Sequence, residues 1–434
     1  VAAIGAMLKG FKWDELFDGV VASIGSALPA LIILLMIGAL AGTWLISGVV
    51  PAMIYYGLEV LNPTIFLFAT CIVCAIVSLA TGSSWTTVAT VGVALMGIGR
   101  ILGFSDGMIA GAIISGAYFG DKMSPLSDTT NLAPAMAGTD LVTHIKHMMW
   151  TTIPSITIAA LLFLLLGFTS GSGADLAGVE SLQAAISSKF NISIWLFLVP
   201  IAVIGLIVKK VPAVPALLIG SILGGVFAVV LQPDIILSLS EEGSSFGKAS
   251  YMSVINAMTT DVAIESGNPV ADELLSSSGM YGMLGTIWLI ICAMTFGGVM
   301  EASGMLERIA QSILKAAQST GSLIASTAGT CMVFNVTASD QYLAIVVPGR
   351  MFAKEYEKRN LAPENLSRTL EDSGTVTSAL VPWNTCGAYH AGVLGVATGT
   401  YLPFAFFNII SPLMTMLYGF MGWKINKLIK NESV

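Results

Sequence analysis

Ionisable side chains stand inside an apolar part of the sequence, at residues 115–137. Asp121, Lys122 and Asp128 occur there beside Pro125 and several short hydroxyl side chains. Charged groups are costly within a bilayer and usually mark a functional site. Because proline removes a backbone donor and clashes with the preceding turn, a helix that begins near residue 106 should break at residues 123–126. The stretch therefore predicts a binding site; the alternative is a proline-kinked helix whose Asp121 and Lys122 pair with neighbours.

The composition indicates the class of protein in which this site lies. Hydrophobic residues make up 55% of the 434 residues and charged residues 10%, and the mean hydropathy is +0.84. This exceeds what a soluble core needs, so we expect a polytopic helical membrane protein. The net charge of -7 is dispersed, which suggests no nucleic-acid partner. The five cysteines lie in apolar segments without metal-ligand spacing, so we expect buried thiols and no disulfide.

Apolar runs long enough to cross a bilayer define the elements that must position the site. Six of them predict membrane helices, at residues 20–46, 148–168, 192–208, 213–231, 280–300 and 402–423. Residues 63–102 and 321–352 are apolar but carry polar interruptions at 81–84 and 335–340, which predicts two re-entrant hairpins. Residues 370–398, interrupted at 381–385, predict a second broken helix. Such broken backbone is tolerated at membrane depth where it lines a buried or water-filled cavity.

The order of these elements repeats along the chain. A shift of 256 or 257 residues superposes Thr81 on Thr337, Pro125 on Pro382, and the flanking spans on one another. Lysine and arginine concentrate on cytoplasmic ends of spans, and an inverted arrangement of the two copies places 15 of the 19 inside, 3 outside and Lys122 in the core. The sequence thus predicts an all-α polytopic membrane protein of two inverted repeats, each with a re-entrant hairpin and a broken transmembrane helix.

The predicted organisation follows from this repeat. We expect a first inverted repeat at 1–168, an extracellular loop at 169–191, a helical pair at 192–231, an acidic extracellular loop at 232–279, and the remainder of the second repeat at 280–434. The shift would place the counterpart of the helical pair before Val1, so N-terminal helices are expected upstream. Inverted repeats with broken helices are typical of alternating-access transporters.

Two candidate ion sites follow if each hairpin tip meets the broken helix of its own copy. Short hydroxyls, carboxylates and carbonyls are the oxygen ligands that sodium prefers. The first set, beside Asp121 and Lys122, is Thr81, Ser83, Ser84, Ser127, Asp128 and Thr129; the second is Thr337, Ser339, Asp340, Asn384 and Thr385. The predicted sodium ligands are Asp128, Ser127, Asp340 and Thr385. For any single serine or threonine, bonding to its own helix is the alternative.

Two further side chains have open roles. Lys122 is expected to neutralise Asp128 or Asp340, either as a structural counter-ion or as a proton-carrying partner. His390 is either a group that titrates near neutral pH or a hydrogen-bonded neutral histidine of the core.

A family resemblance adds to these expectations. The stretches GDKMSPLSDTTNLAPA and PWNTCGAYHAGVLGVATGTYLPFAFFNIISP resemble the NhaC-type sodium/proton antiporter family of the ion transporter superfamily, and the likeness extends over nearly the whole chain. It implies a bacterial plasma-membrane protein that exchanges sodium for protons, needs no cofactor, and forms a homodimer with elevator-like motion. A close branch resembles sodium-malate/proton-lactate antiporters.

Four functional hypotheses were weighed. The first is an antiporter in which sodium and protons compete for intramembrane carboxylates, Asp128 above all, with Asp121 close by or itself the exchanging group. Its rival also carries a small organic anion such as malate. An intramembrane hydrolase using His390 is disfavoured because the chain has neither a GxSxG nor an HExxH motif. A passive channel is disfavoured because paired broken-helix sites suit alternating access.

Overall fold

The N-terminal half of the chain folds into helices separated by short breaks. A computed structural model describes residues 2–60, 62–170, 176–240, 243–315 and 317–428. The helices of this half are α1 Ala2–Met7, α2 Trp13–Ile46, α3 Val49–Val60, α4 Phe66–Thr81, α5 Ser84–Thr87, α6 Val93–Ile101, α7 Asp106–Met123, α8 Asp128–Ala137, α9 Leu141–Ser170 and α10 Leu176–Lys189. A π-helical turn, Val88–Gly92, joins α5 to α6.

The C-terminal half is also helical. Its helices are α11 Leu198–Val208, α12 Ala213–Leu231, α13 Pro233–Ser238, α14 Phe246–Thr259, α15 Pro269–Leu274, α16 Leu284–Ala302, α17 Met305–Leu314, α18 Thr320–Thr337, α19 Leu343–Lys358, α20 Pro363–Leu370, α21 Thr385–Leu394, α22 Thr398–Tyr401 and α23 Phe406–Met421. A second π-helical turn, Glu371–Thr375, continues α20. The strands β1 Val262–Ala263 and β2 Ser276–Ser277 pair antiparallel.

Several helices have the length and apolar composition of membrane spans, as expected of a multi-pass membrane protein. Five qualify among the described residues: α2, the helical segment Pro63–Thr81, α9, α12, and the segment Tyr281–Ala302. Two bent pairs would raise the number to seven, and one of these is Thr398–Phe404 with Phe406–Met421, bent by 58°. The run predicted as one helix at 402–423 is therefore bent near its start.

Some elements differ from those expected. The segments predicted as loops, 169–191 and 232–279, contain α10, α13, α14, α15 and the two short strands, while residues 171–175 and 241–242 lie outside the described part. Helix α3 was not predicted, because its apolar run of 12 residues is shorter than the roughly 20 that identify a spanning helix.

The helices break where polar residues interrupt the apolar runs. α4 ends at Thr81, Gly82 follows with left-handed backbone (φ 71°), and Ser83 caps α5 by accepting a hydrogen bond from the Thr86 amide. In the second half, left-handed Ser339 (φ 61°) lies between α18 and α19. A left-handed residue after the last helical one is a common helix stop. The predicted interruptions at 81–84 and 335–340 are thus helix ends.

Packing brings the two halves of the chain together. α2 packs against α12, α14 and α16, while α4 packs against α7 and α9. Gly116 lets α4 and α7 approach closely, because a Cβ there would lie 2.1 Å from the Cys71 carbonyl oxygen. α8 of the first half packs against α19 and α20 of the second. The break before α8 is therefore held by helices from both halves.

Candidate ion-binding site

A cavity of about 780 Å³, called the main cavity here, lies where the broken helices of both halves meet. The first half contributes both of its breaks, and the second half contributes the residues before α19 and at the start of α21. The polar lining residues from these breaks are Thr81, Ser83, Asp121, Ser127, Asp128, Thr129, Asn131, Asp340, Gln341 and Thr385. One cavity thus collects residues of both predicted sets, whereas the sequence predicts two separate sites.

Asp121 is a buried carboxylate at the main cavity. It lies in the last turn of α7 with 8% of its surface exposed. Its Oδ2 accepts hydrogen bonds from the Ser84 amide (3.0 Å) and the Ser84 hydroxyl (2.6 Å). The start of α5 thus supplies both donors, because the amides of a first helical turn lack intrahelical partners. These two bonds fix the carboxylate at the cavity wall.

The break between α7 and α8 shapes the wall around Asp121. Proline at 125 ends the helix, and the Ser124 hydroxyl donates to the Leu79 carbonyl (2.9 Å), which ties the break to the end of α4. Ser127 caps α8, and its hydroxyl lies 3.2 Å from that of Thr129. Asp128 is the first residue of α8 and is exposed on the cavity wall. A carboxylate at this position is stabilised by the helix dipole.

The second half contributes Asp340 and Thr385 to the same cavity. Asp340 is buried, and its Oδ1 accepts a hydrogen bond from the Leu343 amide (2.9 Å) at the start of α19. The Thr385 amide donates to the Ser339 carbonyl (3.0 Å), so the tip between α18 and α19 is tied to the start of α21. Like the Ser124–Leu79 contact of the first half, it joins a helix end at a hairpin tip to a helix break.

Some predicted site residues lie off the cavity wall. Ser84 acts through Asp121, whereas the Thr337 hydroxyl donates to the Val333 carbonyl of its own helix (2.7 Å). Asn384 caps α21, and its amide donates to Asn335. His390 is buried, with Nε2 3.2 Å from the Tyr118 hydroxyl. The predicted residues that do not line the main cavity are Ser84, Lys122, Thr337, Ser339, Asn384 and His390.

Lys122 pairs with Asp372, not with Asp128 or Asp340 as expected. Both side chains are fully buried and joined by a direct ion pair. The Asp372 carboxylate also accepts from the hydroxyls of Thr151 (2.8 Å) and Ser411 (3.0 Å). Adjacent residues point about 100° apart on a helix, so Lys122 faces away from the cavity that Asp121 lines.

Three buried charged residues near this ion pair were missed from the sequence: Arg368, Glu371 and Asp372. Among the residues that the structure describes, neither carboxylate oxygen of Glu371 has a hydrogen-bond partner, and the same holds for Nε and Nη2 of Arg368. Their spacing of three and four residues, on one side of a helix, was the signal that could have found them. These three residues lie at the edge of an apolar run, where charged residues are usually assigned to the membrane interface.

The opposite wall of the main cavity comes from α2 and from the turn between α11 and α12. Ser26, Pro29 and Ile207 line it with Lys210, whose backbone is left-handed (φ 64°). The lining therefore carries three carboxylates, at Asp121, Asp128 and Asp340, against one lysine. This excess of negative charge and the many hydroxyl oxygens suit a hard monovalent cation. Among the described residues, no group of three or more His, Cys, Asp or Glu side chains is placed to hold a metal ion.

Comparisons with known proteins identify relatives over nearly the full chain. A family model described as the Na+/H+ antiporter family matches residues 116–423. The Na+/H+ antiporter NhaC of Alkalihalophilus pseudofirmus is 38% identical over 98% of this chain and 89% of its own. The malate-2H+/Na+-lactate antiporter of Bacillus subtilis is 38% identical over 100% and 90%. The arginine/ornithine antiporter ArcD of Halobacterium salinarum is 37% identical over 98% and 85%.

Proposed function

This chain belongs to the Na+/H+ antiporter family, and on that premise we propose that it exchanges sodium for protons at Asp121 in the main cavity. Membership confirms the resemblance found in the stretch that begins at Gly120, and it makes the chain a multi-pass transport protein. The proposal concerns the residues that carry the exchange and the way in which they couple the two flows.

The placement of Asp121 is the observation that carries the proposal. It is a carboxylate at the main cavity whose Oδ2 is held by two donors from Ser84. Hydrogen bonds to the charged form favour ionisation, and burial opposes it. An ionised carboxylate at the cavity then needs a cation, and the hydroxyl of Ser127 lies on the same wall. Sodium bound at Asp121 would complete its coordination with such oxygens.

Competition at this carboxylate couples the two flows. A proton on Asp121 removes the negative charge that attracts sodium, and a bound sodium ion makes protonation unfavourable by direct repulsion. The site therefore holds one cargo or the other during each crossing. No separate gate is required to prevent both from moving together.

Asp121 suits the exchanging role better than Asp128, which the sequence favoured. Asp128 is exposed and stands at the first position of α8, where the helix dipole stabilises its charge. Asp128 then contributes to the negative potential of the cavity and receives sodium from water. Asp340, on the facing tip, contributes to the same potential. Asp128, Ser127, Asp340 and Thr385 remain the proposed additional sodium ligands.

Alternating access between two inverted copies is the proposed transport motion. One wall of the main cavity is built on α2 and the turn between α11 and α12, and the other on the broken helices. Movement of the broken helices along the other wall, as in an elevator, would carry Asp121 across the membrane. The re-entrant insertion of the hairpin tips and a homodimer remain predictions.

A second candidate function is exchange that includes a small carboxylate. The main cavity, at about 780 Å³, is far larger than a sodium ion, and Lys210 on the wall opposite Asp121 offers a cation to an organic acid. The relatives named above include a malate/lactate antiporter and an arginine/ornithine antiporter. Uptake of labelled malate or lactate into proteoliposomes, with and without sodium, tests this candidate.

The test of the main proposal is sodium binding and sodium-driven proton movement in proteoliposomes. Asp121→Asn should abolish both, because the amide carries no charge to hold sodium. Asp128→Asn is the matched control on the same wall, and it should keep the competition between sodium and protons while binding sodium more weakly. If Asp121→Asn retains sodium binding that weakens as the pH falls, the exchange site lies elsewhere.

A further inference from the structure

A second cavity, of about 300 Å³, lies beside the start of α9 and the chain that follows α23. We call it the basic pocket, and its lining residues are Thr143, Lys146, His147, Trp150, Lys424 and Asn426. It shares none of these residues with the main cavity. Its chemistry therefore requires an explanation of its own.

Positive charge and hydrogen-bond donors dominate the basic pocket. Lys146 and Lys424 both line it, and neither forms a recorded ion pair within the part of the chain that the structure describes. The Lys424 ammonium lies 3.8 Å from the centre of the Trp150 ring, a cation–π contact that holds it over the pocket. Within the described part of the chain, the lining includes no carboxylate.

Two carboxylates contact residues of the pocket lining. Glu364 accepts a hydrogen bond from the Asn426 side chain (2.7 Å), and Asp140 accepts from the Thr143 amide (3.0 Å). Neither carboxylate forms an ion pair with Lys146 or Lys424 within the described residues.

His147 brings a buried ring nitrogen to the pocket lining. The side chain is 6% exposed, and among the described residues its Nε2 has no hydrogen-bond partner. Its Nδ1 lies 3.5 Å from the amide nitrogen of Asn426, which is a donor. With the Asn426 nitrogen assigned as the donor, Nδ1 is the acceptor and the ring proton of the neutral imidazole is assigned to Nε2. A buried N–H without an acceptor is costly, and an anion in the pocket would remove that cost.

We propose that the basic pocket binds a phosphate group, either the headgroup of an anionic phospholipid or free inorganic phosphate. Phosphate oxygens can accept from both lysines, from His147 Nε2 and from the Thr143 hydroxyl. The exposed apolar side chains of Met149, Trp150 and Ile153 continue from the pocket along α9, and acyl chains can lie against them. Tryptophan and lysine together are typical of the bilayer interface. The predicted orientation places the pocket at the cytoplasmic leaflet, where anionic lipids concentrate.

The test measures lipid binding to the purified full chain by native mass spectrometry, with phosphatidylglycerol, phosphatidylcholine and inorganic phosphate as probes. Phosphatidylglycerol should bind more tightly than phosphatidylcholine. Lys146→Ala and Lys424→Ala should each weaken that binding about fivefold, the loss expected for one lysine at a charged membrane surface. Lys427→Ala is the matched control, because Lys427 is exposed nearby but does not line the pocket.

Each outcome bears on the proposal. Competition by inorganic phosphate alone would identify free phosphate as the occupant, and its absence together with a phosphatidylglycerol preference would identify lipid. His147→Leu should reduce binding by whichever occupant is found, because it removes the buried donor. Equal binding by the pocket variants and Lys427→Ala, or no preference for either anionic probe, would overturn the proposal. These measurements do not depend on transport by the main cavity.

Discussion

Ser127 and Asn384, which are 257 residues apart, cap two helices of ten residues each. α8 and α21 begin at the next residue and end before left-handed glycines, Gly138 and Gly395, which are again 257 apart. Two other left-handed pairs, Gly82 with Ser339 and Gly103 with Asn360, keep the same spacing. The recurrence supports two copies of one structural plan. That the two copies are inverted relative to each other is a separate prediction.

The orientation of the two copies predicts which loops reach which side of the membrane. Ser105→Cys, before α7 in the first copy, should react with an impermeant thiol reagent from outside, and Lys354→Cys, at an exposed position of α19 in the second copy, only from inside. Because Cys292 is exposed, the experiment uses a background in which it is alanine. Reaction of both cysteines from one side would contradict the inverted arrangement.

Gly82 lets the turn between α4 and α5 lie close against the break between α7 and α8. A Cβ there would lie 2.6 Å from the Leu126 Cβ and 2.8 Å from its backbone carbon, in left-handed backbone. Gly82→Ala should therefore lower the free energy of unfolding and weaken sodium binding by displacing residues 126 and 127. Both effects can be measured on the detergent-solubilised protein.

Gly103→Ala is the matched control for that substitution. Its backbone is also left-handed (φ 81°), but nothing lies within 4 Å of an added Cβ. It should lower the free energy of unfolding by about 1–2 kcal/mol, the cost of left-handed backbone for a residue with a side chain, and leave sodium binding unchanged. Ser339→Gly, at the corresponding tip, should remove the same cost. Equal losses for Gly82→Ala and Gly103→Ala would show that the contact with Leu126 is unimportant.

Asp272 predicts a local dependence on pH in the segment before α16. The Ser266 hydroxyl and amide donate to this carboxylate (both 2.6 Å) and hold the pKa of Asp272 below its ordinary value. A carboxyl whose folded pKa is lowered adds stability above its unfolded pKa, near 4, and loses it as the pH falls through the folded pKa. The protection of the Val262 and Ala263 amides against exchange, relative to their intrinsic rates at each pH, should therefore fall below about pH 4.

Two variants separate this cause from general acid unfolding. Asp272→Asn and Ser266→Ala should each speed the exchange at neutral pH and flatten its dependence on acid. Unchanged profiles in both variants would assign the effect to another group.

Local signals in the sequence were sufficient for the breaks but not for the charge partners. Gly82, Pro125 and Pro382 act on their own backbone, so the helix ends near them could be read from residue type. The partner of Lys122 lies 250 residues away at Asp372, and no periodicity reports such a pairing. The meeting of both predicted sets in one cavity depends on α8 packing against α19, which is likewise a tertiary property.

The Lys122–Asp372 pair predicts a large and specific loss of stability. Both side chains are fully buried, and removal of one member of such a pair typically costs about 3–5 kcal/mol because the other charge is left unpaired. Asp372→Asn and Lys122→Met should each lose roughly that amount in denaturant unfolding, and the double variant should recover most of it.

Two matched controls define the contribution of burial to that loss. Asp106→Asn breaks the partly exposed ion pair with Arg100, whose side chains are 30% and 41% exposed, and it should cost at most about 1 kcal/mol. Glu371→Gln changes the neighbouring carboxylate, which has no hydrogen-bond partner, so it should destabilise far less than Asp372→Asn. If the double variant is as unstable as the sum of the single ones, Lys122 and Asp372 act independently. Additive losses would therefore contradict the role assigned to this ion pair.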